Sequence, residues 1–248
     1  MNICLFTEEE LGKPLLRKDE RNEHIIKVLH KKEGDSFDAG IIGKMSGRAT
    51  ITKIDESGGI FFDFESLSDG KELYPLTLII GFPRPIQLKR LLRDVAGLGA
   101  KKIILTGTEL TEKSYLSSNV VSDGSAERML LDGTVQAAST HVPALSVRRS
   151  LRETLENELS QNELRVALDN RRATMSLHSW LEKNVPFGAG EKSIVAAIGS
   201  ERGWTENERD LLEKSGFTLC SMGKRVLRTE TAATVASSVI LDRLGFLD

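Results

Sequence analysis

The stretch SIVAAIGSERGWTENE, residues 193–208, decides the fold class of this chain. Its first six residues are mostly apolar and have the length of a buried strand. The polar residues that follow include Gly199 and Gly203, and Thr205 and Glu208 have the spacing of a helix capping box. The stretch therefore predicts a buried strand, a glycine-containing loop and a helix, in that order.

A second stretch, MGKRVLRTETAATVA at residues 222–236, also leads from a polar loop into an apolar helix. Arg225 and Arg228 lie just before this helix, whose first N–H groups and positive dipole end attract anions. A capped helix with Glu230 in its first turn and two solvated arginines explains the same residues without a ligand. Two successive strand–loop–helix units favour a ligand site, because open α/β sheets bind ligands outside the carboxyl ends of their strands.

Strands and helices alternate through the rest of the C-terminal two thirds of the chain, which indicates a parallel sheet covered by helices. Neither polar loop has the glycine spacing of a dinucleotide-binding loop or a P-loop. The predicted strands are residues 77–82, 102–106, 164–168, 193–198 and 217–221. The predicted helices are residues 86–98, 126–138, 176–183, 206–214 and 231–244. A loop at residues 113–125 is predicted to be mobile.

The N-terminal part of the chain has a different pattern. Short strand-like runs at residues 36–42, 48–54 and 59–67 are separated by Ser-Gly and Gly-Gly turn signals, which suggests a small β-barrel. A helical pattern at residues 21–30 fits an insertion in it. We therefore expect a small domain at residues 1–73 and an α/β domain at residues 74–248.

The composition is that of a globular protein. The chain has 248 residues, of which 40% are hydrophobic and 28% charged. No apolar run approaches the ~20 residues of a transmembrane helix, and the start of the chain lacks a signal-peptide pattern, so we expect a cytoplasmic protein. Cys4 and Cys220 are expected to be core thiols, and the four histidines do not have the spacing of a metal site. Trp180 and Trp204 are expected to be packing residues.

Several segments of the sequence resemble the motifs of a known protein family. The segment from Met222 to Ala232 is similar to the LGxRxLRTETA motif of the RsmE family, the SPOUT-type 16S ribosomal RNA (uracil-N3) methyltransferases. Residues 199–203, GSERG, correspond to the family's GPEGG loop. Residues 24–29, HIIKVL, resemble its HIxxVLR segment, with His30 in place of the arginine. The resemblance extends over nearly the whole chain.

The chain also departs from the family's motifs at polar positions. Residues 135–143 lack a glutamate and an arginine of the corresponding motif, Gly97 replaces the glutamate of Glu-Leu-Gly, and Leu110 replaces the arginine of Ser-Glu-Arg. Arg202 replaces a glycine, which is costly if the position requires a positive φ. These departures motivate a second hypothesis: a divergent paralogue that binds RNA or cofactor without methylating the usual uridine.

The resemblance implies a knotted SPOUT domain with a C-terminal trefoil knot, preceded by a PUA-like RNA-binding barrel. It also implies S-adenosyl-L-methionine as the cofactor, no metal, and a cofactor site formed by three loops, with Leu168, Val226 and Leu227 around the adenine. The cofactor-binding residues that it implies are Leu168, Gly199, Ser200, Glu201, Gly203, Met222, Gly223, Val226, Leu227, Arg228 and Thr229.

The reaction and the partners follow from the same resemblance. Uracil N3 carries a proton at neutral pH, so the enzyme needs a base or a cation that stabilises the imide anion. Arg228 is the candidate cation, and Glu201 and Glu230 are candidate proton acceptors; Glu230 as a favourable charge at a helix start is the alternative. The partners implied are ribosomal RNA or the small ribosomal subunit and a second copy of the chain. The terminal helix has an apolar stripe at Val235, Val239, Ile240 and Leu244, which suits a dimer interface or the core of its own subunit.

RNA binding must be local, because the net charge is −2 and the isoelectric point is about 6.2. Two basic runs, residues 17–32 and 84–93, can neutralise phosphates, although solvated helix faces explain both runs equally well. The candidate RNA-binding residues are Arg17, Lys18, Arg21, Lys27, Arg84, Arg90 and Arg225.

Overall fold

A computed structural model of the protein describes residues 2–116 and 123–247, which form two compact units. The first unit contains residues 2–72 and 132–142, and the second contains the remaining described residues. Residues 117–122 of the loop that was predicted to be mobile lie outside the described residues.

The first unit is built on a four-stranded sheet with the order β1-β2-β3-β4. Strand β1 is parallel to β2, and the other neighbours are antiparallel. The strands are β1 (Cys4–Phe6), β2 (Ser36–Ile41), β3 (Ser46–Ile54) and β4 (Ile60–Ser68). The three predicted strands of this region are confirmed, and the short strand β1 is an addition. Their buried side chains form one core, in which the rings of Phe6 and Phe62 stack with centroids 4.5 Å apart.

The predicted helix at residues 21–30 is shorter and less regular than expected. Helix α1 (Glu20–Glu23) continues into a π-helical turn (His24–Val28), and a 3₁₀ turn (Glu8–Glu10) follows β1. The guanidinium of Arg21 forms ion pairs with Glu10 at 2.5 Å and Asp19 at 2.7 Å and donates to the carbonyl of Leu5 at 2.8 Å. Arg21 therefore stabilises this unit, and its charge is already neutralised by two carboxylates.

The segment 132–142 belongs to the first unit, although the sequence placed it in the second domain. Three hydrogen bonds explain the difference. The Thr140 hydroxyl donates to the carbonyl of Lys44 at 2.7 Å, the Asn2 amide donates to the carbonyl of Gln136 at 2.6 Å, and the Ser139 hydroxyl donates to the carbonyl of Lys71 at 3.4 Å. Contacts between residues so distant in sequence leave no local pattern from which the boundary could be predicted.

The second unit has a seven-stranded sheet with the order β7-β6-β5-β10-β8-β11-β9, and all neighbouring strands are parallel. The α/β fold class is therefore confirmed. The strands are β5 (Tyr74–Gly81), β6 (Ala100–Thr106), β7 (Ala144–Arg148), β8 (Leu164–Leu168), β9 (Met175–Ser176), β10 (Ile194–Ile198) and β11 (Thr218–Ser221). The helices are α2 (Pro85–Gly97), α3 (Lys113–Leu116), α4 (Ser125–Gln136), α5 (Leu151–Asn157), α6 (Leu177–Asn184), α7 (Glu206–Lys214) and α8 (Thr229–Leu244). The last five residues of α4, 132–136, belong to the first unit.

Local sequence signals explain several of these boundaries. Thr205 and Glu208 form the predicted capping box at the start of α7. Helix α8 begins at Thr229, two residues before the predicted start, and is followed by Gly245 with a φ of 82°. All five residues of β10 are buried, as expected for a central strand of a parallel sheet.

The predicted core residues are buried. Trp180 and Trp204 are 3% and 2% exposed. Burial raises the pKa of the Cys4 thiol to about 12 and that of the Cys220 thiol to about 11, so both cysteines are unreactive at neutral pH. Within the described ranges, no helix combines the length and the apolar character needed to cross a membrane.

Candidate functional site

The three strands β10, β8 and β11 are neighbours in the sheet and end at the same level. Leu168 at the end of β8 pairs with Ile198 of β10 on one side and with Cys220 of β11 on the other. Because the strands are parallel, the chain leaves all three at one edge of the sheet. The sheet therefore brings together three loops that are distant in sequence.

The loops that follow these strands enclose one cavity, which we call the three-loop cavity. The turn after β8 contributes Asp169 and Asn170 beside Leu168. The predicted cofactor residues that line the cavity are Leu168, Gly199, Ser200, Glu201, Gly203, Met222, Gly223, Val226, Leu227 and Thr229. Arg225 lines it as well. Of the predicted set, only Arg228 is not among the lining residues.

The loop after β10 is compact because of its glycines. Gly203 has a φ of 75°, and its N–H donates to the carbonyl of Ser200 at 2.9 Å. A Cβ on Gly199 would lie 3.0 Å from the Cα of Gly203. A side chain at Gly199 would thus distort the loop before it reached a ligand. Arg202 has no positive φ, so its replacement of a glycine carries no backbone strain.

The turn after β8 is fixed by the carboxylate of Asp169. One oxygen, Oδ1, accepts from Nε of Arg209 at 3.1 Å and from Nη2 at 3.0 Å. The other, Oδ2, accepts from the backbone N–H groups of Arg171 at 3.2 Å and Arg172 at 2.5 Å. The side chains of Asp169 and Arg209 are both buried, with 2% and 3% exposure respectively. All the strong acceptor positions of Asp169 are therefore used to hold the turn.

These hydrogen bonds also set the protonation of Asp169. Burial alone would raise the pKa of its carboxyl group, but the bonds from Arg209 and from the backbone of Arg172 and Arg171 outweigh burial and hold the pKa below its ordinary value. Asp169 therefore stays ionised at neutral pH and acts as a structural anion.

Two further hydrogen bonds connect the loops. The indole N–H of Trp204 donates to the carbonyl of Leu168 at 3.0 Å, which links the loop after β10 to the end of β8. The hydroxyl of Thr229 donates to the carbonyl of Gly199 at 3.3 Å, which links the start of α8 to the same loop. Trp204 is therefore a packing residue, as expected, and it holds the loop after β10 in place without lining the cavity.

The arginines of the third loop differ from their predicted placement. Arg225 lines the cavity, whereas the sequence assigned it to RNA. Arg228 is the N-cap of α8, and its carbonyl accepts the first helix bond from the N–H of Ala232 at 2.8 Å. Its side chain is exposed, and Arg228 is not among the residues that line the three-loop cavity, although it was predicted to be one of them. Glu230 occupies the first turn of α8, half-buried, and is not a cavity residue either.

A family model described as an RNA methyltransferase domain matches residues 70–241. The chain is 40% identical to the ribosomal RNA small subunit methyltransferase E of Treponema pallidum, over 97% of this chain and 91% of that protein. It is 34% identical, over 97% of each chain, to the ribosomal RNA small subunit methyltransferase E 1 of Borreliella burgdorferi. This chain belongs to the ribosomal RNA small subunit methyltransferase E family.

A solved structure of the family has the same fold. The methyltransferase E of Neisseria gonorrhoeae, crystallised with bound S-adenosyl methionine, superposes with a TM-score of 0.76 and covers 97% of each chain at 21% identity. The likeness covers both compact units of this chain.

The predicted RNA-binding cations lie in different surroundings. Arg17 and Lys18 are exposed, and Lys27 forms an exposed ion pair with Glu23 at 2.6 Å. Arg90 lies 3.9 Å from Asp94, and Arg84 lies 3.4 Å from Glu201. Exposed pairs of this kind are weak and leave the cations available to phosphate. Arg21 differs, because its guanidinium is already bound by Glu10, Asp19 and the carbonyl of Leu5 and is therefore not available to phosphate.

Sequence reasoning missed Asp169 and Arg209. A charged residue directly after a buried strand is the signal that marks Asp169, and Arg209 has no signal of its own, because its partner is 40 residues away.

We expect Asp169→Ala to destabilise the second unit by about 3 kcal/mol at neutral pH, because it removes the buried carboxylate partner of Arg209 and leaves this guanidinium with only the exposed carboxylate of Glu206. A depressed pKa stabilises the fold above the ordinary aspartate value of 3.8, and this contribution is lost as the pH falls through the lower pKa of the folded state. Urea unfolding followed by tryptophan fluorescence is the measurement, since both tryptophans lie in this unit. The difference in unfolding free energy between wild type and variant should stay constant from about pH 7 to about pH 5 and should shrink as the pH falls below about 4. A difference independent of pH would show that Asp169 carries no special charge interaction.

We expect Gly81→Ala to loosen the loop after β10. A Cβ on Gly81 would lie 2.5 Å from the backbone N of Ser200, and backbone cannot yield as a side-chain end can. Overpacking of this kind costs about 1–3 kcal/mol. Amide hydrogen exchange at Gly203 should accelerate. Gly190→Ala is the matched control, because its Cβ would meet the ring end of Phe246 at 3.0 Å. Equal exchange in both variants would contradict the tight packing of Gly81 against this loop.

Proposed function

We propose that this chain is an S-adenosyl-L-methionine-dependent methyltransferase that methylates N3 of a uridine in small-subunit ribosomal RNA. The convergence of three loops on one cavity, in a member of this family, carries the proposal. The relatives at 40% and 34% identity are named as small-subunit ribosomal RNA methyltransferases, and the gonococcal one was crystallised with S-adenosyl methionine.

The lining of the three-loop cavity suits this cofactor. Gly199, Gly203 and Gly223 carry no side chains, so backbone N–H and C=O groups are available to an adenine edge and a ribose. Val226 is 78% exposed yet lines the cavity, as does Leu227. An adenine between these side chains and Leu168 would cover apolar surface that is otherwise exposed to water.

The sulfonium cofactor supplies an activated methyl group when it is bound, so the protein's task is to align donor and acceptor and to exclude water. Among the described residues, no three His, Cys, Asp or Glu side chains lie close enough together to hold a metal ion. Positioning of the acceptor base is therefore the step that this chain's own residues must perform.

Uracil N3 must also lose its proton. We assign Arg228 to stabilise the uracil anion, because it stands at the start of α8 beside Thr229, just outside the cavity lining. Glu201, which lines the cavity, and Glu230, in the first turn of α8, are the two carboxylates that we assign as candidate proton acceptors.

Family membership extends the proposal to fold details, assembly and location. The last strand, β11, lies between β8 and β9, which precede it in the chain, and this order supports a trefoil knot in the C-terminal part. We assign a PUA-like RNA-binding role to the first unit, whose exposed cations include Arg17, Lys18 and Lys27. We propose a homodimer with α8 in its interface, because Val235 and Val239 of this helix are 39% and 37% exposed. The expected location is the cytoplasm.

We expect the purified protein to transfer one methyl group from S-adenosyl-L-methionine to small ribosomal subunits that lack the modification, without added metal. Mass spectrometry of nuclease fragments would locate the methyl group on one uridine. A stop in primer extension at that position would place it on the pairing edge at N3. Cofactor binding by calorimetry without any transfer would favour the divergent paralogue instead, and absence of both would contradict the proposed function.

We expect the two loop arginines to have separable effects. Arg228→Ala should lower turnover about 100-fold while cofactor affinity stays within a few fold, because the contact exists only when charge develops on the base. Arg225→Ala should weaken cofactor binding, because Arg225 lines the three-loop cavity. Calorimetry with S-adenosylhomocysteine and single-turnover kinetics separate the two effects. Lys224→Ala, an exposed neighbour outside the lining, is the matched control. Equal loss of cofactor affinity in both arginine variants would contradict a catalytic role for Arg228.

A further inference from the structure

A second cavity adjoins the three-loop cavity and shares Ser200 and Glu201 with it. One of its other walls contains Arg84, at the end of the loop that follows β5. Leu110 and Tyr115, from the segment after β6, and Arg202 also line it. All these residues belong to the second unit.

The two arginines of the second cavity are held loosely. Nε of Arg84 lies 3.4 Å from Glu201, and Nη2 of Arg202 lies 3.9 Å from Glu112. Their side chains are 64% and 67% exposed, so these ion pairs contribute little to stability. By contrast, Arg209 is 3% exposed and fully engaged with Asp169 and Glu206. Arg84 and Arg202 can therefore exchange a carboxylate for another anion at small cost.

Tyr115 adds orientation to this charge. Its hydroxyl accepts a hydrogen bond from Arg84, and this bond, together with the charge of Glu201, raises the pKa of the guanidinium above its ordinary value. Tyr115 is a neutral partner, so it orients the guanidinium without neutralising its charge. Arg84 is also the N-cap of α2, where the first helix N–H groups favour negative charge.

The second cavity is small. Its volume is about 50 Å³, which suits a compact anionic group such as a phosphate.

Leu110 and Arg202 line the second cavity from two different segments, the one after β6 and the loop after β10. A guanidinium at either position would therefore lie beside the same cavity.

Resting on the proposed function, we propose that the second cavity binds a backbone phosphate of the substrate RNA next to the acceptor uridine, through Arg84 and Arg202. The shared wall of Ser200 and Glu201 then places the acceptor base against the methyl-donor cavity. Arg84 and Arg202 are substrate-binding residues in this account, and Tyr115 is a positioning residue that acts through Arg84.

Steady-state methylation of small subunits at several salt concentrations tests this site. Arg84→Ala and Arg202→Ala should each raise KM for the RNA about tenfold and reduce the salt slope of binding by about one phosphate contact. Cofactor affinity, measured by calorimetry with S-adenosylhomocysteine, should stay within about threefold of wild type. Arg152→Ala, an exposed arginine on α5 of the same unit, is the matched control and should leave both quantities unchanged.

Moving the cation from one wall of the second cavity to the other distinguishes a phosphate site from a structural effect. Arg202→Gly should raise KM for the RNA, and addition of Leu110→Arg in the same chain should restore it, because the guanidinium returns to the cavity from the other wall. Tyr115→Phe should raise KM less than Arg84→Ala does. An increase in KM that Leu110→Arg does not reverse, or arginine variants that behave like Arg152→Ala while wild type methylates RNA, would overturn the proposal. A wild-type protein that methylates no RNA would instead overturn the proposed function.

Discussion

The carboxylate of Asp169 holds the part of the structure on which the site depends. It is buried with Arg209 and accepts four hydrogen bonds, two from the guanidinium and two from the backbone of the turn after β8. A buried ion pair contributes little net stability compared with apolar packing, but it strongly disfavours other conformations because either charge alone is costly. The pair therefore fixes the shape of the turn that forms one wall of the three-loop cavity.

The other walls are positioned by the sheet and by two long-range hydrogen bonds. Parallel pairing places Leu168, Ile198 and Cys220 at one level, so three loops leave the sheet side by side. Trp204 and Thr229 then tie the loop after β10 to its two neighbours. This loop is also the wall between the three-loop cavity and the second cavity. In the function that we propose, this segment of five residues contacts donor and acceptor together, which is what alignment of a methyl transfer requires.

Much of the fold followed from local patterns, and much of the site followed from motif resemblance. The strand–loop–helix order around Gly199 and the capping box at Thr205 are local signals, and the structure confirms them. The cavity gathers ten of the eleven residues that the resemblance named for the cofactor, although their role in binding stays a prediction. The place of Arg228 outside the lining, the membership of residues 132–142 in the first unit and the Asp169–Arg209 pair depend on contacts between distant segments. Periodicity and composition carry no information about such contacts.

A crystal structure of the protein with S-adenosylhomocysteine tests the three-loop cavity most directly. We expect the ligand between the turn after β8, the loop after β10 and the loop after β11, with its adenine against Leu168, Val226 and Leu227. The carboxylate of Asp169 should remain paired with Arg209 and should not contact the ligand. A ligand bound at another place, or one that breaks this ion pair, would show that this cavity is not the cofactor site.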